Sequence, residues 1–247
     1  MINLETPKKF RMLVEQAQQV AKEIFRPNSR RYDRAEHEYP RELDMLGALL
    51  DGMHAGGMGE GAGATGVRRN AVQEEGNRNG SNLSTALGTM ELCWGDVGFL
   101  LTMPRQGLGN SAIASVASDE QLKRFAGKWA AMAITEPHCG SDSAAIRTTA
   151  TRDGDYYVLN GDKIYVTSGE RADLVVVWAT LDRNAGRAAI KSFVVEKGTP
   201  GMELVRLEHK LGIRASDTAQ FAFRDCRVHK DNLLGDPEVN VEKGFAG

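Results

Sequence analysis

The spacing of hydrophobic and polar positions changes at about residue 130. Before this point apolar residues recur every three or four positions, which is the period of an amphipathic helix. After it the apolar runs become short, and Gly, Pro and Asp separate them. We therefore predict an α+β fold, with a helical N-terminal domain over residues 1–130 and a β-domain, a small barrel or sandwich, over residues 131–247.

Three helical segments carry the clearest signals in the first half. Thr6 and Pro7 provide a cap and a first-turn proline for a helix. Its apolar face contains Phe10, Leu13, Val14, Ala17, Ala21, Ile24 and Phe25. A second stripe is predicted to run until Pro104 ends it; its members are Leu83, Ala86, Leu87, Met90, Cys93, Trp94 and Val97. Ser118 and Gln121 have the spacing of a capping box before a short third helix.

The second half reads as several short strands. Residues 156–159 and 163–166 flank Asn160-Gly161, a pair that tolerates positive φ and is typical of a tight hairpin. Alternation along the second of these strands places Tyr165 and Thr167 on one face and Val166 on the other. Further strands are predicted at 174–179, 190–195 and 218–223.

Composition narrows the class of protein. The formal net charge of −2 over 247 residues gives no electrostatic reason to expect nucleic acid or an anionic membrane as partner. No apolar run is long enough to span a bilayer, and the N-terminus lacks the pattern of a signal peptide. Three scattered cysteines argue against a disulfide framework and favour a cytoplasmic location, and neither they nor the histidines have metal-ligand spacing. We expect no metal.

Two glycine-containing segments are candidate binding loops. Gly61, Gly63 and Gly66 form a GxGxxG, but the preceding segment is helical and no second βαβ unit follows, which favours a loop between helices over a nicotinamide site. Residues 135–142 lie where helix gives way to β-structure. Their hydroxyls, next to a backbone that glycine leaves accessible, can donate hydrogen bonds to a phosphate or to the edge of a heterocycle. Turn chemistry equally allows a plain turn.

Single reactive side chains in the second loop carry little weight alone. A lone histidine such as His138 more often satisfies a turn than acts as a base. Cys139 would need a base and a depressed pKa to be a nucleophile, and nothing local indicates either. An aromatic ring beside a hydroxyl, as at Tyr165 and Thr167, can face a planar cofactor, yet it is usually only a sheet face.

Taken together, these segments resemble the acyl-CoA dehydrogenase family. The similarity begins with Thr-Glu-Pro-x-x-Gly-Ser-Asp at 135–142 and Leu-Asn-Gly-x-Lys-x-Tyr-Val-Thr-Ser-Gly at 159–169. It continues through Ala172-Asp173, Val-Glu-Lys-Gly-Thr-Pro-Gly at 195–201, Lys-Leu-Gly-Ile-Arg-Ala-Ser-Asp-Thr at 210–218 and Asn-Leu-Leu-Gly at 232–235. The similarity covers the β-half in order, and the helical half fits the family's N-terminal domain less distinctively.

The resemblance implies FAD as cofactor. Thr135 would bond the pyrimidine side of the flavin, and Ser141 the pyrophosphate portion of the flavin or of CoA. Tyr165, where the family usually has Trp, would pack on one ring face, and Thr167 would reach the flavin near N5. The full set of cofactor-binding residues implied is Met132, Ala133, Ile134, Thr135, Gly140, Ser141, Tyr165, Val166 and Thr167, with Ser141 also implied for substrate. His138-Cys139 stands where the family commonly has Gly-Ala.

The activity implied is that of an oxidoreductase acting on CH–CH groups in fatty acid metabolism: α,β-dehydrogenation of an acyl-CoA thioester. A carboxylate takes the α-proton while the β-hydride moves to the flavin. The implied partners are an acyl-CoA substrate, an electron-transfer flavoprotein or similar acceptor, and other subunits of a homo- or hetero-oligomer. The family's base lies in a C-terminal helical domain, so we expect it outside these 247 residues. Two alternatives stay open: a non-catalytic or partner-completed subunit that binds flavin or CoA, and an acyl-CoA oxidase-like relative.

Overall fold

The computed structural model describes residues 6–55, 81–104 and 108–238, with helices first and a β-sheet after them. The predicted α+β class is therefore confirmed. The chain divides into two units. The first contains the described residues of Met1–Gly47, Arg68–Met103 and His209–Ser216, and the second those of Ala48–Val67, Pro104–Glu208 and Asp217–Gly247. The domain boundary at residue 130 stays a prediction.

The first unit is helical. A 3-10 turn (Lys8–Phe10) leads into α1 (Arg11–Val20), a π-helical turn (Ala21–Phe25) and α2 (Arg26–Arg34), and the unit also holds the start of α3 (Glu42–Ala55), α4 (Ser81–Gly95) and α5 (Val97–Thr102). Its core is aromatic: the ring centroid of Phe99 lies 5.3 Å from that of Phe25 and 5.4 Å from that of Tyr32. All three side chains are buried, so they fix how these helices pack.

The second predicted helical stripe is interrupted before Pro104. Asp96 adopts an extended conformation, and its carboxylate accepts the N–H of Phe99 at 2.9 Å, which caps α5. At Gly95 the chain passes so close to the π-helical turn that an added Cβ would lie 2.8 Å from Cβ of Phe25. The prediction of one helix to Pro104 was wrong because capping and this close approach end α4 at Gly95.

Two helices of the second unit pack on its sheet. Helix α6 (Leu108–Val116) and helix α7 (Asp119–Arg124) contribute to a core that includes Ile113, Leu174 and Val194. The capping box before α7 is confirmed: Ser118 and Gln121 exchange both bonds between side chain and backbone.

The described strands form one eight-stranded sheet. They are β1 (Ala130–Ala133), β2 (Thr149–Asp153), β3 (Tyr156–Thr167), β4 (Leu174–Thr180), β5 (Ile190–Glu196), β6 (Met202–Leu207), β7 (Thr218–His229) and β8 (Leu233–Leu234). Their order is β6-β7-β3-β2-β4-β5-β8, with β1 parallel to the fully buried β4. The pairing of these strands leaves the sheet open, so it is not the closed barrel that we had considered. Glu203 and Arg206 on edge strand β6 keep that edge charged and largely exposed.

The predicted hairpin at Asn160-Gly161 is wrong. Residues 156–167 form a single strand, β3, and beside Gly161 its pairing with β7 shifts register, because one β3 residue there faces two residues of β7. The φ of 154° at Gly161 favours glycine, and an added Cβ would lie 2.3 Å from Oγ1 of Thr148. The real hairpin turn comes earlier, because Asp153 pairs with Tyr156 and the chain reverses at the positive-φ Gly154. The tolerance for positive φ that indicated a turn here serves a bulge instead.

Candidate functional site

Strand β1 delivers the first half of the predicted site. Ala133 is buried, whereas Met132, Ile134 and Thr135 are half-buried, which places this segment at the border of the core. A tight turn follows, in which Glu136 and Cys139 exchange backbone hydrogen bonds of 2.9 and 3.2 Å. Past the turn the chain emerges into solvent.

The end of β3 delivers the second half. Val166 is fully buried, while Tyr165 and Thr167 are exposed, which confirms the alternation predicted from the sequence. A second irregularity in the pairing with β7 lies between Lys163 and Val166. Tyr165 there has φ of 57° and a side chain left 63% exposed. A non-glycine residue in this left-handed region is strained, and such strain persists where the surroundings enforce it, often at binding sites.

The structure brings the two halves together. The N–H of Ile164 donates to the carbonyl of Thr135 at 2.9 Å, which places Thr135 beside the residue that precedes Tyr165. Gly140 folds back toward the same threonine, since an added Cβ would lie 3.8 Å from its Cγ2 atom. Thr135, Gly140 and Tyr165 are thus neighbours in one part of the second unit.

The polar groups here remain available. The hydroxyls of Thr135, Ser141 and Thr167 make no hydrogen bond to the residues that the structure describes. Ser141 is exposed and follows Gly140 in the same loop. A half-buried hydroxyl, two exposed hydroxyls and an exposed aromatic ring suit a ligand that combines a planar ring with polar edges.

A buried ion pair beneath this site was not predicted. Lys163 is fully buried, and its Nζ lies 2.7 Å from Oε1 of Glu136 and donates to the carbonyl of Ile134 at 2.9 Å. The carboxylate also accepts the backbone N–H groups of Arg147 at 2.8 Å and Thr148 at 3.0 Å. Lys163 occupies an inward position of a strand, and a charge at such a position is the signal from which a buried partner could have been inferred.

This environment makes Glu136 a poor proton acceptor. Burial alone would raise the pKa of its carboxyl, but the Lys163 ammonium and the backbone N–H donors outweigh burial and hold the pKa below its ordinary value. Glu136 therefore has a structural position rather than that of a base.

His138 and Cys139 lie on the turn itself. The ring Nε2 of His138 is 3.4 Å from both the carbonyl oxygen of Ala145 and Oε2 of Glu136. Burial, reinforced by the nearby Glu136 carboxylate, raises the pKa of the Cys139 thiol. A thiol held protonated is not a nucleophile, in line with the interpretation from sequence.

Two clusters of metal-ligating side chains occur within the described residues. Glu36, His37 and His209 form one, and Glu136, His138 and Cys139 form the other, each with one ligand atom per residue within 4.8 Å of the others. Linear spacing could not reveal the first, because its members come from distant segments. Arg214 lies 3.0 Å from Glu36, and Lys163 binds Glu136, so a cation already contacts each carboxylate. That no metal is required stays a prediction.

The Gly61–Gly66 motif and residues 56–66 lie outside the described residues, so the loop proposed there has no structural account. Among the helices that are described, none is both long enough and apolar enough to cross a membrane.

Two family models match the chain. The acyl-CoA dehydrogenase N-terminal domain matches residues 7–133, and the acyl-CoA dehydrogenase middle domain matches residues 131–226. The chain belongs to the acyl-CoA dehydrogenase family. Membership implies a flavin cofactor, and the free hydroxyls and exposed ring described above fit one.

The relatives that this chain matches are longer than the chain itself. It is 37% identical over 171 residues to the short-chain specific acyl-CoA dehydrogenase of Clostridium acetobutylicum, covering 66% of this chain and 45% of that protein. It is 32% identical over 242 residues to the mitochondrial short-chain specific acyl-CoA dehydrogenase of Bos taurus, covering 97% of this chain and 56% of that protein. Butyryl-CoA dehydrogenase from Megasphaera elsdenii superposes with a TM-score of 0.77 at 28% identity, over 99% of this chain and 62% of that one. The chain thus spans about half the length of the curated relatives it matches.

Proposed function

We propose that this chain is the flavin-binding portion of an FAD-dependent acyl-CoA dehydrogenase. It would act in α,β-dehydrogenation of acyl-CoA thioesters and pass electrons to an electron-transfer flavoprotein or a similar acceptor. We also propose that it works within an oligomer, and that residues 1–130 form its helical N-terminal domain and residues 131–247 its β-domain.

One observation carries the proposal. The Thr135 segment and the Tyr165 segment, 30 residues apart in sequence, are joined by the 2.9 Å bond between Ile164 N–H and Thr135 carbonyl. The bond brings the segment that contains the half-buried Thr135 hydroxyl next to the strand end that carries the exposed Tyr165 ring. Family membership indicates a flavin as the ligand. The proximity of the two segments supports Thr135 and Tyr165 as residues that contact it.

Each residue then has a defined task. Thr135 and Thr167 would hydrogen-bond the polar edges of the isoalloxazine ring, and Tyr165 would cover one of its faces. Ser141, on the exposed loop, would bind the pyrophosphate portion of FAD or of the CoA substrate. FAD, when bound, supplies the hydride acceptor that no amino-acid side chain provides. The protein's part is to orient the substrate against it.

The base is proposed to come from outside these 247 residues. Glu136 is the only glutamate of the candidate loop, and it is buried and ion-paired with Lys163. A base needs a pKa near the working pH, whereas the pKa of Glu136 is lowered.

The test begins with the chain as it stands. We expect titration with FAD to change the flavin absorbance and fluorescence, with FMN binding more weakly, and acyl-CoA with an artificial acceptor to give little or no turnover. Absence of FAD binding would refute the flavin assignment. Turnover at roughly 1–10³ per second would refute an external base. Comparison of oxygen consumption with acceptor reduction in any active assembly separates a dehydrogenase from an oxidase-like relative.

A further inference from the structure

A single ion pair lies behind both segments of the proposed flavin site. Lys163 and Glu136 have side chains 0% and 2% exposed, and 2.7 Å separates their charged atoms. Lys163 comes two residues before Tyr165, and Glu136 directly follows Thr135. Thr135 and Tyr165, one proposed flavin contact from each segment, are therefore each close in sequence to one member of the pair.

Stability alone is a weak reason for such a pair. Removing two charges from water costs much of what their attraction returns, and apolar side chains of similar volume often do as well. Directed hydrogen bonds are what an apolar pair cannot supply. Lys163 donates to the carbonyl of Ile134, while Glu136 accepts the N–H groups of Arg147 and Thr148.

These bonds fix the loop from both sides. Ile134 and Glu136 flank Thr135, and both are held by Lys163, so the backbone of Thr135 has little freedom to shift along β3. The bonds from Arg147 and Thr148 anchor the same carboxylate to the segment entering β2. On the other strand, the left-handed conformation of Tyr165 is of the kind that persists only when neighbouring structure holds it.

We propose that Lys163 and Glu136 are positioning residues, which set the register of the Thr135 loop against the Tyr165 end of β3. The inference rests on the proposed function, since the flavin is what this register would serve. Neither residue touches the flavin in this proposal. Both act through Thr135 and Tyr165.

The experiment compares two variants of the 247-residue chain. Lys163→Met/Glu136→Gln removes both charges, keeps the side-chain volumes and leaves an amide oxygen at position 136 that can still accept a backbone N–H. Val228→Ala is the matched control, because Val228 is buried in β7 opposite Tyr157, away from the loop. FAD affinity, the spectrum of bound FAD, the melting temperature and amide hydrogen exchange are measured for both.

The double variant should keep a melting temperature no lower than that of the control. It should lose about tenfold in FAD affinity, because each hydrogen bond weakened by a misplaced Thr135 loop costs about 2- to 12-fold. Its amide hydrogens over residues 134–142 should exchange faster than in the wild type, whereas the amide hydrogens of β4 should exchange at the wild-type rate. Val228→Ala should lower the melting temperature and leave FAD affinity and loop exchange unchanged.

FAD affinity that merely follows the melting temperature across both variants would overturn the proposal. If the double variant does not fold, amide hydrogen exchange of the wild-type chain provides a separate test. The amides of Glu136 and Cys139 should exchange as slowly as those of β3, and rapid exchange there would overturn it equally. If the wild-type chain binds no FAD, the proposed function fails, and the exchange rates still decide whether the pair holds the loop.

Discussion

Glu36 offers a direct test of the electrostatics of the first unit. Its Oε2 lies 2.9 Å from Nδ1 of His209 and 3.0 Å from Nη2 of Arg214, and its Oε1 accepts the N–H of Lys210 at 2.8 Å. These partners, the His209 bond foremost and then the Lys210 N–H, hold the pKa of Glu36 at about 2 against an ordinary value of 4.5. The carboxylate thereby ties the segment His209–Ser216 to the residues after α2.

The magnitude follows from the pKa. One unit corresponds to about 1.4 kcal/mol, so the drop from 4.5 to about 2 sets an upper bound of about 3.5 kcal/mol. His209 and Arg214 have side chains 86% and 33% exposed, so water screens their charges. We therefore expect Glu36→Gln to lower the free energy of unfolding at neutral pH by about 1–2 kcal/mol.

The pH dependence has a definite sign. Because the pKa is lower in the folded state, the contribution of Glu36 is complete above the unfolded value of 4.5 and is lost as pH falls toward 2. Urea unfolding of the wild type and of Glu36→Gln, followed by circular dichroism, should give different free energies of unfolding at pH 7. This difference should shrink by about half or more at pH 3.

Glu38→Gln is the control for Glu36→Gln. Its ion pair with Arg31 spans 3.5 Å and the Arg31 side chain is 58% exposed, so the loss of that pair should cost under about 0.5 kcal/mol at either pH. The reasoning would be refuted if the loss of unfolding free energy in Glu36→Gln were the same at pH 7 and pH 3, or no larger than the loss in the control.

Three further outcomes are expected. Thr167→Ala should weaken FAD binding about 2- to 12-fold, the worth of one hydrogen bond, without changing the melting temperature; Thr167→Ser should bind normally, and wild-type affinity in the alanine variant would remove Thr167 from the site. Asp96→Ala should cost about 1–2 kcal/mol of unfolding free energy, because the cap on Phe99 N–H is lost; Asp96→Asn should retain most of it, and an equal loss in both would contradict the capping role. Trp94 is 56% exposed among other exposed apolar side chains of α4 and α5, so the chain should bind a hydrophobic dye and self-associate by light scattering, and Trp94→Gln should reduce both; a monodisperse wild type that binds no dye would contradict this.

Local sequence patterns determined much of the architecture. The change of apolar period separates the helices from the strands, and the Ser118–Gln121 box starts α7 where its spacing predicted. The strands β4, β5 and β7 begin at the predicted residues, 174, 190 and 218. These features depend on a few consecutive residues and on backbone chemistry that does not change with context.

The motifs of the β-half likewise determined the family. They are short runs of residues that can be identified in the sequence without knowledge of the contacts they make in the fold. The exposure of Tyr165 and Thr167 on either side of buried Val166 also followed from alternation, because side chains on a strand point to opposite faces in turn.

Only the tertiary structure decided the remainder. Asn160-Gly161 is chemically suited both to a turn and to a bulge, and pairing with β7, which lies outside the predicted hairpin, keeps these two residues inside a strand. The partnership of Lys163 with Glu136, 27 residues apart, exists only when the segment after β1 lies against β3. Sequence records which side chains can bond, whereas the distance between segments is set by the packing of the whole sheet, and that distance decides which bonds form.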